Sequence, residues 1–352
     1  MTMEATPFIE LREVTAHRGA AVVLSEVSFS IYTGLTTVLM GTAGSGKSSV
    51  LKAAAGIFVP DSGDILVRGK SIGAFSRKEE LEFRHRSGFV FQDAALWSNQ
   101  NLFENLALPI RFHDPRRSRA EVEKAVRAAM TLVGCDEELS HRPAELSSGE
   151  RKLVGFARAM VLDPELIFMD EPSSSLDEES AERISVIIAG LKAQRRTIVI
   201  VTSSSDLASR VADRVGVIKA GKIIAFGSYA EAVQWSDPAL RSVIGRLKPR
   251  SCQEEPAAIG LVSAWADALA ETATETIGST AFDGAGEGGD GRESRESRES
   301  YESIAGHESS SAQGESGEGY ENAADEVASG ENGKAEGDDC VDLPWDAKGE
   351  KL

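Results

Sequence analysis

The sequence predicts an α/β protein with a largely parallel β-sheet, preceded by a small β-subdomain and interrupted by a helical insertion. Three observations predict this fold. Short apolar runs alternate with amphipathic helical stretches, as they do in βαβ units. One apolar run ends in a glycine-rich loop that opens a helix. Residues 93–160 change to helical spacing, and the strand–helix alternation then resumes up to residue 235.

Strands and two helices are predicted before residue 93. The strands are apolar or alternating runs bounded by glycine, and they cover Phe8–Val14, Val22–Ile31, Leu35–Met40, a hairpin over residues 62–75 that turns near Gly69, and Gly88–Gln92. Helices are predicted over residues 48–55 and over the charged residues 77–86. A strand, a glycine loop and a helix therefore follow one another directly from residue 35.

The insertion is expected to be mostly helical. Around residues 120–133, apolar side chains recur three or four positions apart, as on one face of a helix; they are Val122, Val126, Ala129, Met130 and Val133. Pro109, Pro115 and Pro143 are expected to punctuate the stretch. The α/β pattern after the insertion comprises strands at 166–169 and 197–201, helices at 178–193 and 205–212, and a hairpin of strands 215–219 and 222–226 around Gly221.

The charge of the chain is concentrated at its C-terminal end. Residues 251–352 carry 25 acidic and 6 basic side chains, whereas residues 1–250 carry 31 acidic and 32 basic ones. A nearly neutral body does not indicate nucleic-acid binding. Residues 281–340 are rich in Gly, Glu, Ser and Asp, and they contain an Arg-Glu-Ser triplet repeat at 292–300. Such a composition predicts disorder, because it buries too little apolar surface to offset the entropy of ordering.

Three regions follow from these patterns. They are an α/β domain at residues 8–235 with its helical subdomain and signature segment at 93–160, a partly helical extension at 236–270, and an acidic, low-complexity, disordered tail at 271–352. In the extension, Ala258–Leu269 has the spacing of an amphipathic helix that includes Trp265. This segment and the apolar Val341–Trp345 are both candidates for docking on a partner.

Disulfide, metal-cluster and membrane-spanning roles are not indicated. Cys135, Cys252 and Cys340 show neither close pairing nor metal-ligand spacing, which is typical of a reducing cytosol. No run approaches the roughly 18 apolar residues that span a bilayer. The first ten residues lack the basic and apolar segments of a secretory signal. A role at a membrane is therefore expected to come through a partner.

A complete phosphate-binding loop, the Walker A pattern G-x-x-x-x-G-K-[ST], lies at residues 41–48. Glycines let successive backbone N–H groups point into one concavity, and the following helix adds its positive end. Lys47 is expected to bridge the β- and γ-phosphates of ATP, and the Ser48 hydroxyl to ligate Mg²⁺. The candidate nucleotide-binding residues are Gly41, Thr42, Ala43, Gly44, Ser45, Gly46, Lys47, Ser48 and Ser49.

An apolar strand that ends in two carboxylates has the form of a Walker B motif. The sequence from Leu166 is Leu-Ile-Phe-Met-Asp-Glu-Pro, so that Asp170 and Glu171 end the strand. Asp170 is expected to hold Mg²⁺, directly or through water. Glu171 is expected to accept a hydrogen bond from the attacking water and to act as general base.

The order of further motifs resembles the ATPase subunits of ABC transporters over residues 8–230. Gln92 stands at the place of the glutamine loop, which implies contacts with Mg²⁺ and water and coupling to the transmembrane partner. Leu146-Ser147-Ser148-Gly149-Glu150 stands at the place of the signature, which in the family contacts the γ-phosphate of ATP held by the opposite subunit. Asp177 stands in the aspartate loop, which in the family touches that subunit.

Three positions depart from the family pattern. Ser203 stands where the family has its switch histidine, and a serine can neither carry the imidazole's charge nor reach as far. In the signature, Ser148 adds a Cβ and Glu150 adds a negative charge near phosphates. Arg18 falls at the adenine-stacking aromatic, and a guanidinium is able to stack on a base. The first two departures leave open a slow or non-hydrolysing regulator.

A finer resemblance is to the ATPases of MCE-type lipid transporters, the maintenance-of-lipid-asymmetry systems. It is carried by the segment Phe91–Pro109, by Arg18-Gly19, and by Asp237–Ile244 as the start of a C-terminal extension. The resemblance implies a homodimer that binds two ATP molecules with Mg²⁺, an integral membrane permease, and an MCE-type substrate-binding protein as a further partner. It also implies a location on the cytoplasmic face of the inner membrane.

Other readings stay open at this stage. Importers or exporters of amino acids, metals or lipoproteins share much of the pattern. A soluble iron–sulfur assembly ATPase has no permease and remains possible on the motifs alone. A DNA-repair ATPase is disfavoured, because only 55 residues separate Gln92 from Ser147 and no sustained heptads occur between them.

Overall fold

The strands form two sheets in the computed structural model, which describes residues 7–135, 137–245, 247, 260 and 262–269. In chain order the strands are β1 (Pro7–Arg18), β2 (Ala21–Tyr32), β3 (Thr36–Met40), β4 (Ser62–Val67), β5 (Lys70–Ser71), β6 (Ser87–Val90), β7 (Leu166–Asp170), β8 (Thr197–Thr202), β9 (Arg214–Lys219) and β10 (Lys222–Ser228). The smaller sheet has the order β2-β1-β4-β5 and is antiparallel throughout. It is the predicted β-subdomain.

The larger sheet has the strand order β10-β9-β3-β8-β7-β6. All neighbours in it pair in parallel except β9 and β10, which form the predicted hairpin. Every residue of β3, β7 and β8 is buried. Uninterrupted apolar strands of this kind are typical of parallel sheets that are covered on both faces. The predicted fold class is therefore confirmed for the described residues.

Nine α-helices complete the described α/β region. They are α1 (Lys47–Ala54), α2 (Arg77–His85), α3 (Leu102–His113), α4 (Arg119–Val133), α5 (Ser148–Met160), α6 (Glu178–Ala193), α7 (Ser205–Val211), α8 (Tyr229–Gln234) and α9 (Pro238–Ile244). Serine caps with a glutamate three residues into the helix start four of them, namely α2, α4, α5 and α8. Each such box satisfies two of the backbone N–H groups that a helix start leaves unpaired.

Pro109 does not break the insertion, so its expected role as punctuation is wrong. It lies inside α3, which continues to His113. Proline removes one backbone hydrogen bond from a helix interior. Here Leu106, Ala107 and Ile110, on the same stretch of helix, are fully buried in the core. Tertiary packing therefore holds α3 together across the proline, which local propensity does not foresee.

The larger sheet separates two apolar clusters, because alternate side chains of a strand point to opposite faces. Val38 and Met40 of β3 pack with the helices α3 to α7, whereas Leu39 between them packs against the β-subdomain and α1. The strands β7 and β8 alternate in the same way. The carboxyl ends of β3, β6, β7 and β8 meet at one edge of this sheet, which places the loops that follow them close together.

The amphipathic segment of the extension is helical at every described residue, Gly260 and 262–269. Val262, Trp265 and Leu269 are 0%, 3% and 6% exposed and belong to the helix-side core. The predicted acidic tail, its triplet repeat and the apolar Val341–Trp345 lie outside the described residues.

Trp265→Ala is expected to lower the free energy of unfolding by about 3 kcal/mol, since it removes a fully buried indole and leaves a cavity. Its Nε1 has no hydrogen-bond partner among the residues that the structure describes, so the substitution breaks no hydrogen bond and the loss comes from packing. Trp97→Ala is the matched control, because that indole is 53% exposed. Urea unfolding of both variants measures the difference. Equal losses in the two variants would contradict the burial of Trp265.

Candidate nucleotide-binding site

The phosphate loop joins β3 to α1 in a conformation that requires glycine at two positions. A Cβ on Gly41 would lie 2.4 Å from Ser45 Oγ and 2.5 Å from the carbonyl oxygen of Ile218. Gly46 has φ +101°, and a Cβ there would lie 2.7 Å from the carbonyl oxygen of Val23. The loop is therefore wedged between the two sheets. Its backbone follows a path that no other residue type fits.

Lys47 is the first residue of α1, and its ammonium folds back over the loop. Its Nζ donates to the carbonyl oxygens of Gly41 (2.9 Å) and Thr42 (3.1 Å). It also lies 3.7 Å from Glu171 Oε1, with 9% of the lysine side chain exposed. The first turn of α1 contains no acidic residue. The loop, the helix start and the ammonium together form a positive concavity suited to phosphate.

Ser48 connects the phosphate loop to the end of β7. Its hydroxyl donates to Asp170 Oδ1 at 2.9 Å, although β3 and β7 are separated by β8 in the sheet. Asp170 is 3% exposed. Burial raises the pKa of Asp170, and the hydrogen bond from Ser48 opposes this rise. The structure thus brings the predicted Walker A and Walker B residues into direct contact.

Asp170→Asn is expected to raise the free energy of unfolding of the protein without nucleotide or metal. Because burial raises the pKa of Asp170, the folded state binds more protons than the unfolded state between the two pKa values. Stability therefore falls as pH rises through that window, and the full cost is present above it. Asparagine carries no charge and keeps an acceptor for Ser48.

Urea unfolding in EDTA between pH 4 and pH 8 measures this effect. Asp177→Asn is the control, because its carboxylate is exposed and hydrogen bonds from Ser180 lower the pKa of Asp177. A depressed pKa contributes stability above the unfolded value, so this variant should lose stability or stay level. A native or lowered stability for Asp170→Asn at pH 8 would contradict the expected cost of the buried charge.

Glu171 has a left-handed backbone, with φ +45°, directly after β7. Its N–H donates to the carbonyl oxygen of Val201 at 2.8 Å. Its Oε2 accepts from Thr202 Oγ1 (3.2 Å), from the Ser203 N–H (3.1 Å) and from Ser203 Oγ (3.4 Å). Ser203, the predicted switch position, therefore contacts the carboxylate that sequence reasoning assigns as general base.

Gln92 and Arg18 both lie exposed at the edges of this site. Gln92 follows β6, which pairs in parallel with β7, so it emerges at the same sheet edge as Asp170. Arg18 ends β1 opposite Ala21, at the start of β2. The carbonyl of Val23, further along β2, lies next to the phosphate loop.

The signature residues lie beside the aspartate loop of the same chain. Ser147 caps α5, and its N–H donates to Glu150 Oε2 at 2.7 Å. The hydrogen bond with the Ser147 side chain lowers the pKa of Glu150. A Cβ on Gly149 would lie 3.7 Å from Leu176 Cδ2 and 3.9 Å from Asp177 Oδ2. The Glu150 carboxylate is thus occupied in capping its own helix.

Two polar side chains that sequence reasoning missed, one buried and one half-buried, shape the loop after Gln92. Asn105, 3% exposed, accepts from the Trp97 N–H (2.7 Å) and donates to the carbonyl oxygens of Trp97, Gln100 and Asn101. Arg158 donates to the carbonyl oxygens of Ala94 (2.8 Å) and Ala95 (2.7 Å). An asparagine among the apolar residues of α3 was the available signal, since a buried amide must be hydrogen-bonded.

A profile of the ABC transporter family matches residues 24–174. The probable ribonucleotide transport ATP-binding protein mkl of Mycobacterium leprae (strain TN) is 35% identical over 250 residues, which cover 70% of this chain and 72% of that protein. This chain belongs to the ABC transporter family. The methionine import ATP-binding protein MetN of Brucella abortus (strain 2308) is 33% identical over 220 residues, which cover 62% of this chain and 59% of that protein.

A solved ABC protein with the same fold is the ATP-binding cassette MJ0796, a dimer in a post-hydrolysis state bound to ADP and Pi. It shares 27% identity with this chain at a TM-score of 0.59, over 62% of this chain and 98% of that one. ABC ATP-binding subunits bind and hydrolyse ATP, and their ATPase domains dimerise and work with membrane permeases. In the described part of this chain, no helix is long and apolar enough to cross a membrane.

Membership of the ABC transporter family helps to decide between an ATP-hydrolysing subunit and the non-hydrolysing regulator that the sequence left open. This chain is an ATP-binding, ATP-hydrolysing subunit coupled to transport. The non-hydrolysing regulator suggested by Ser203 is therefore disfavoured. In the structure, the hydroxyl and the N–H group of Ser203 together hold the Glu171 carboxylate, which lies 3.7 Å from Lys47.

Proposed function

We propose that this ABC subunit supplies ATP energy to an MCE-type system that moves phospholipid. The observation that carries the proposal is the segment Phe91–Pro109, whose sequence resembles those ATPases. In the structure this segment has a fixed shape, because Asn105 ties its loop to α3. It also leaves Trp97 and Leu108 exposed, at 53% and 40%, where a membrane partner can be contacted.

The hydrolytic roles rest on the contacts around the phosphate loop. Lys47 neutralises the β- and γ-phosphates, and the Gly41–Ser49 backbone binds them through its N–H groups. Glu171 accepts a hydrogen bond from the attacking water and takes up its proton. Ser203 and Thr202 hold the Glu171 carboxylate, so that it faces Lys47 across the cleft. Arg18 provides the surface on which adenine stacks.

Mg²⁺ fits the donors that this cleft presents. The Ser48 hydroxyl and the Asp170 carboxylate are already within 2.9 Å of each other, and both are hard oxygen ligands of the kind Mg²⁺ selects. Among the described residues, no cluster of three His, Cys, Asp or Glu side chains offers a separate cage. Ser48, Asp170 and Gln92 would hold the ion together with nucleotide phosphates. Bound there, Mg²⁺ would neutralise phosphate charge.

Two copies are proposed to sandwich two ATP molecules head to tail. The start of α5, with Ser147, Ser148 and Gly149, is exposed or half-buried, so it is accessible to a nucleotide held by another copy. Backbone N–H groups at a helix start bind phosphate well. The signature of one copy therefore contacts the γ-phosphate held by the phosphate loop of the other, and Asp177 lies at that interface.

The permease is proposed to contact the loop after Gln92, which would place the chain on the cytoplasmic face of the inner membrane. An MCE-type substrate-binding protein would complete the system. Reconstitution with the native permease in phospholipid bilayers tests this. ATP-dependent movement of a fluorescent phospholipid is expected, with no stimulation by methionine or by ribonucleotides other than ATP. Stimulation by either of those solutes, without lipid movement, would instead favour the activities for which the two relatives are named.

A further inference from the structure

The signature helix α5 contains a buried cation that the proposed mechanism has not used. Lys152, at the start of the second turn, is 5% exposed. An ammonium is costly to bury unless its N–H groups find acceptors. Its Nζ donates to the carbonyl oxygen of Glu171 (2.6 Å), and to the carbonyl oxygen and hydroxyl of Ser174, both at 2.7 Å. All three donors of the ammonium therefore have partners.

The backbone of Glu171 is held by hydrogen bonds at its N–H and at its carbonyl oxygen. The residue adopts φ +45°, a conformation that only surrounding contacts maintain in a residue with a Cβ. Val201 accepts from its N–H at 2.8 Å. The carbonyl oxygen of Glu171 accepts from Lys152 and also from Ser174 Oγ at 2.9 Å. The position of the Glu171 carboxylate therefore depends on β8 at one end and on α5 at the other.

Lys152 also joins two regions that serve different ATP molecules in the proposed dimer. It lies one turn after the signature Ser147–Gly149, on the same rigid helix. Ser174 lies three residues before Asp177, at the start of the aspartate loop. Among the described side chains of α5, only that of Lys152 hydrogen-bonds to Glu171. A shift of α5 therefore reaches the Glu171 backbone directly through this ammonium.

We propose that Lys152 is a positioning residue, which holds Glu171 for activation of water and couples its placement to the signature helix of the same chain. The inference rests on the proposed function, because it takes Glu171 as the general base. Burial lowers the pKa of Lys152, while the nearby charges of Glu171 and Asp170 oppose that shift. The cation is thus held between the Walker B carboxylates and the aspartate loop.

Lys152→Met tests the role, since methionine fills similar space without a donor. ATP turnover by the full chain with its permease is expected to fall on the order of 10²-fold, the usual effect of a misplaced catalytic group. The KM for ATP should stay within about twofold, because the group acts on the transition state and not on binding. Lys152→Arg, which keeps charge and donors, should recover part of the turnover. Lys78→Met, on the exposed face of α2, is the matched control.

A double variant separates positioning from general support of the fold. If Lys152 acts through Glu171, adding Lys152→Met to Glu171→Gln should cause no further loss of turnover. If the two losses of turnover multiply in the double variant and ATP affinity falls to the same extent, the proposal is overturned. Ser174→Ala removes one acceptor and provides a milder variant should Lys152→Met fail to fold. Native turnover in Ser174→Ala and in any folded Lys152→Met would also overturn it.

The same variants distinguish a failure of this inference from a failure of the proposed hydrolytic function. If Glu171→Gln itself keeps native turnover, the assigned general base is wrong and the proposed hydrolytic roles fall with it. If Glu171→Gln loses turnover while Lys152→Met keeps it, only the positioning role is lost.

Discussion

Glu171→Gln is expected to lower ATP turnover by about 10²–10⁴-fold, the range that a positioned general base contributes. Glutamine keeps the length and most of the shape of the side chain, so the acceptor for Thr202 and Ser203 is retained. It cannot take a proton from water at neutral pH. ATP should still bind, because Lys47 and the phosphate loop are unchanged, and slow hydrolysis should let an ATP-bound dimer accumulate.

Phosphate release and size-exclusion chromatography with ATP and Mg²⁺ measure the two effects. Glu26→Gln is a matched control, because Glu26 is also a non-glycine residue at positive φ, +52°, but is exposed on the β-subdomain. It should behave as the native chain. A Glu171→Gln chain that stays monomeric with ATP would contradict the head-to-tail dimer, and one that turns over normally would remove Glu171 from the chemistry.

Lys47→Met is expected to lower ATP turnover on the order of 10²–10³-fold, the cost of removing one preorganised charge at a reacting group. ATP affinity should fall as well, since Lys47 is 8% exposed and its ammonium points into the loop that is proposed to bind phosphate. Stability should fall too, because methionine leaves the Glu171 carboxylate, 3.7 Å from Lys47 and little exposed, without its cationic partner.

Titration with a fluorescent ATP analogue, alongside turnover and urea unfolding, separates these effects. The control is again Lys78→Met, whose lysine is exposed on α2. A loss of affinity in a variant that is still fully folded before urea is added identifies Lys47 as a ligand-binding group. Native affinity in Lys47→Met would show that the loop backbone alone holds the phosphates.

The fold was largely predictable because the relevant signals are local. The apolar run predicted at residues 35–40 is the strand Thr36–Met40, and the helix predicted at residues 48–55 runs from Lys47 to Ala54. The β-subdomain was separable for the same reason, since the alternating burial of β1 and β2 differs from the complete burial of β3, β7 and β8. Pro109 misled the prediction, because the burial of α3 is a tertiary property.

The candidate site was only partly predictable. Motif spacing named Ser48 and Asp170, but their hydrogen bond depends on the strand order β3-β8-β7, which no single motif encodes. The contacts of Lys152 could not be predicted, because a lysine inside a helix is ordinarily exposed and its acceptors, two of them backbone carbonyls, lie 19 and 22 residues away. Ser203 was recognised as a departure from a pattern, yet its bond to Glu171 required coordinates.

The hydrogen bonds of Asn105 have a consequence for how the chain meets its membrane partner. Both the N–H and the carbonyl of Trp97 are bound to one buried amide, while the indole itself is 53% exposed. A partner that covers this ring does not have to immobilise the loop that presents it. The conformational entropy of that loop was given up when the chain folded, so more of the contact energy is left to hold the complex together.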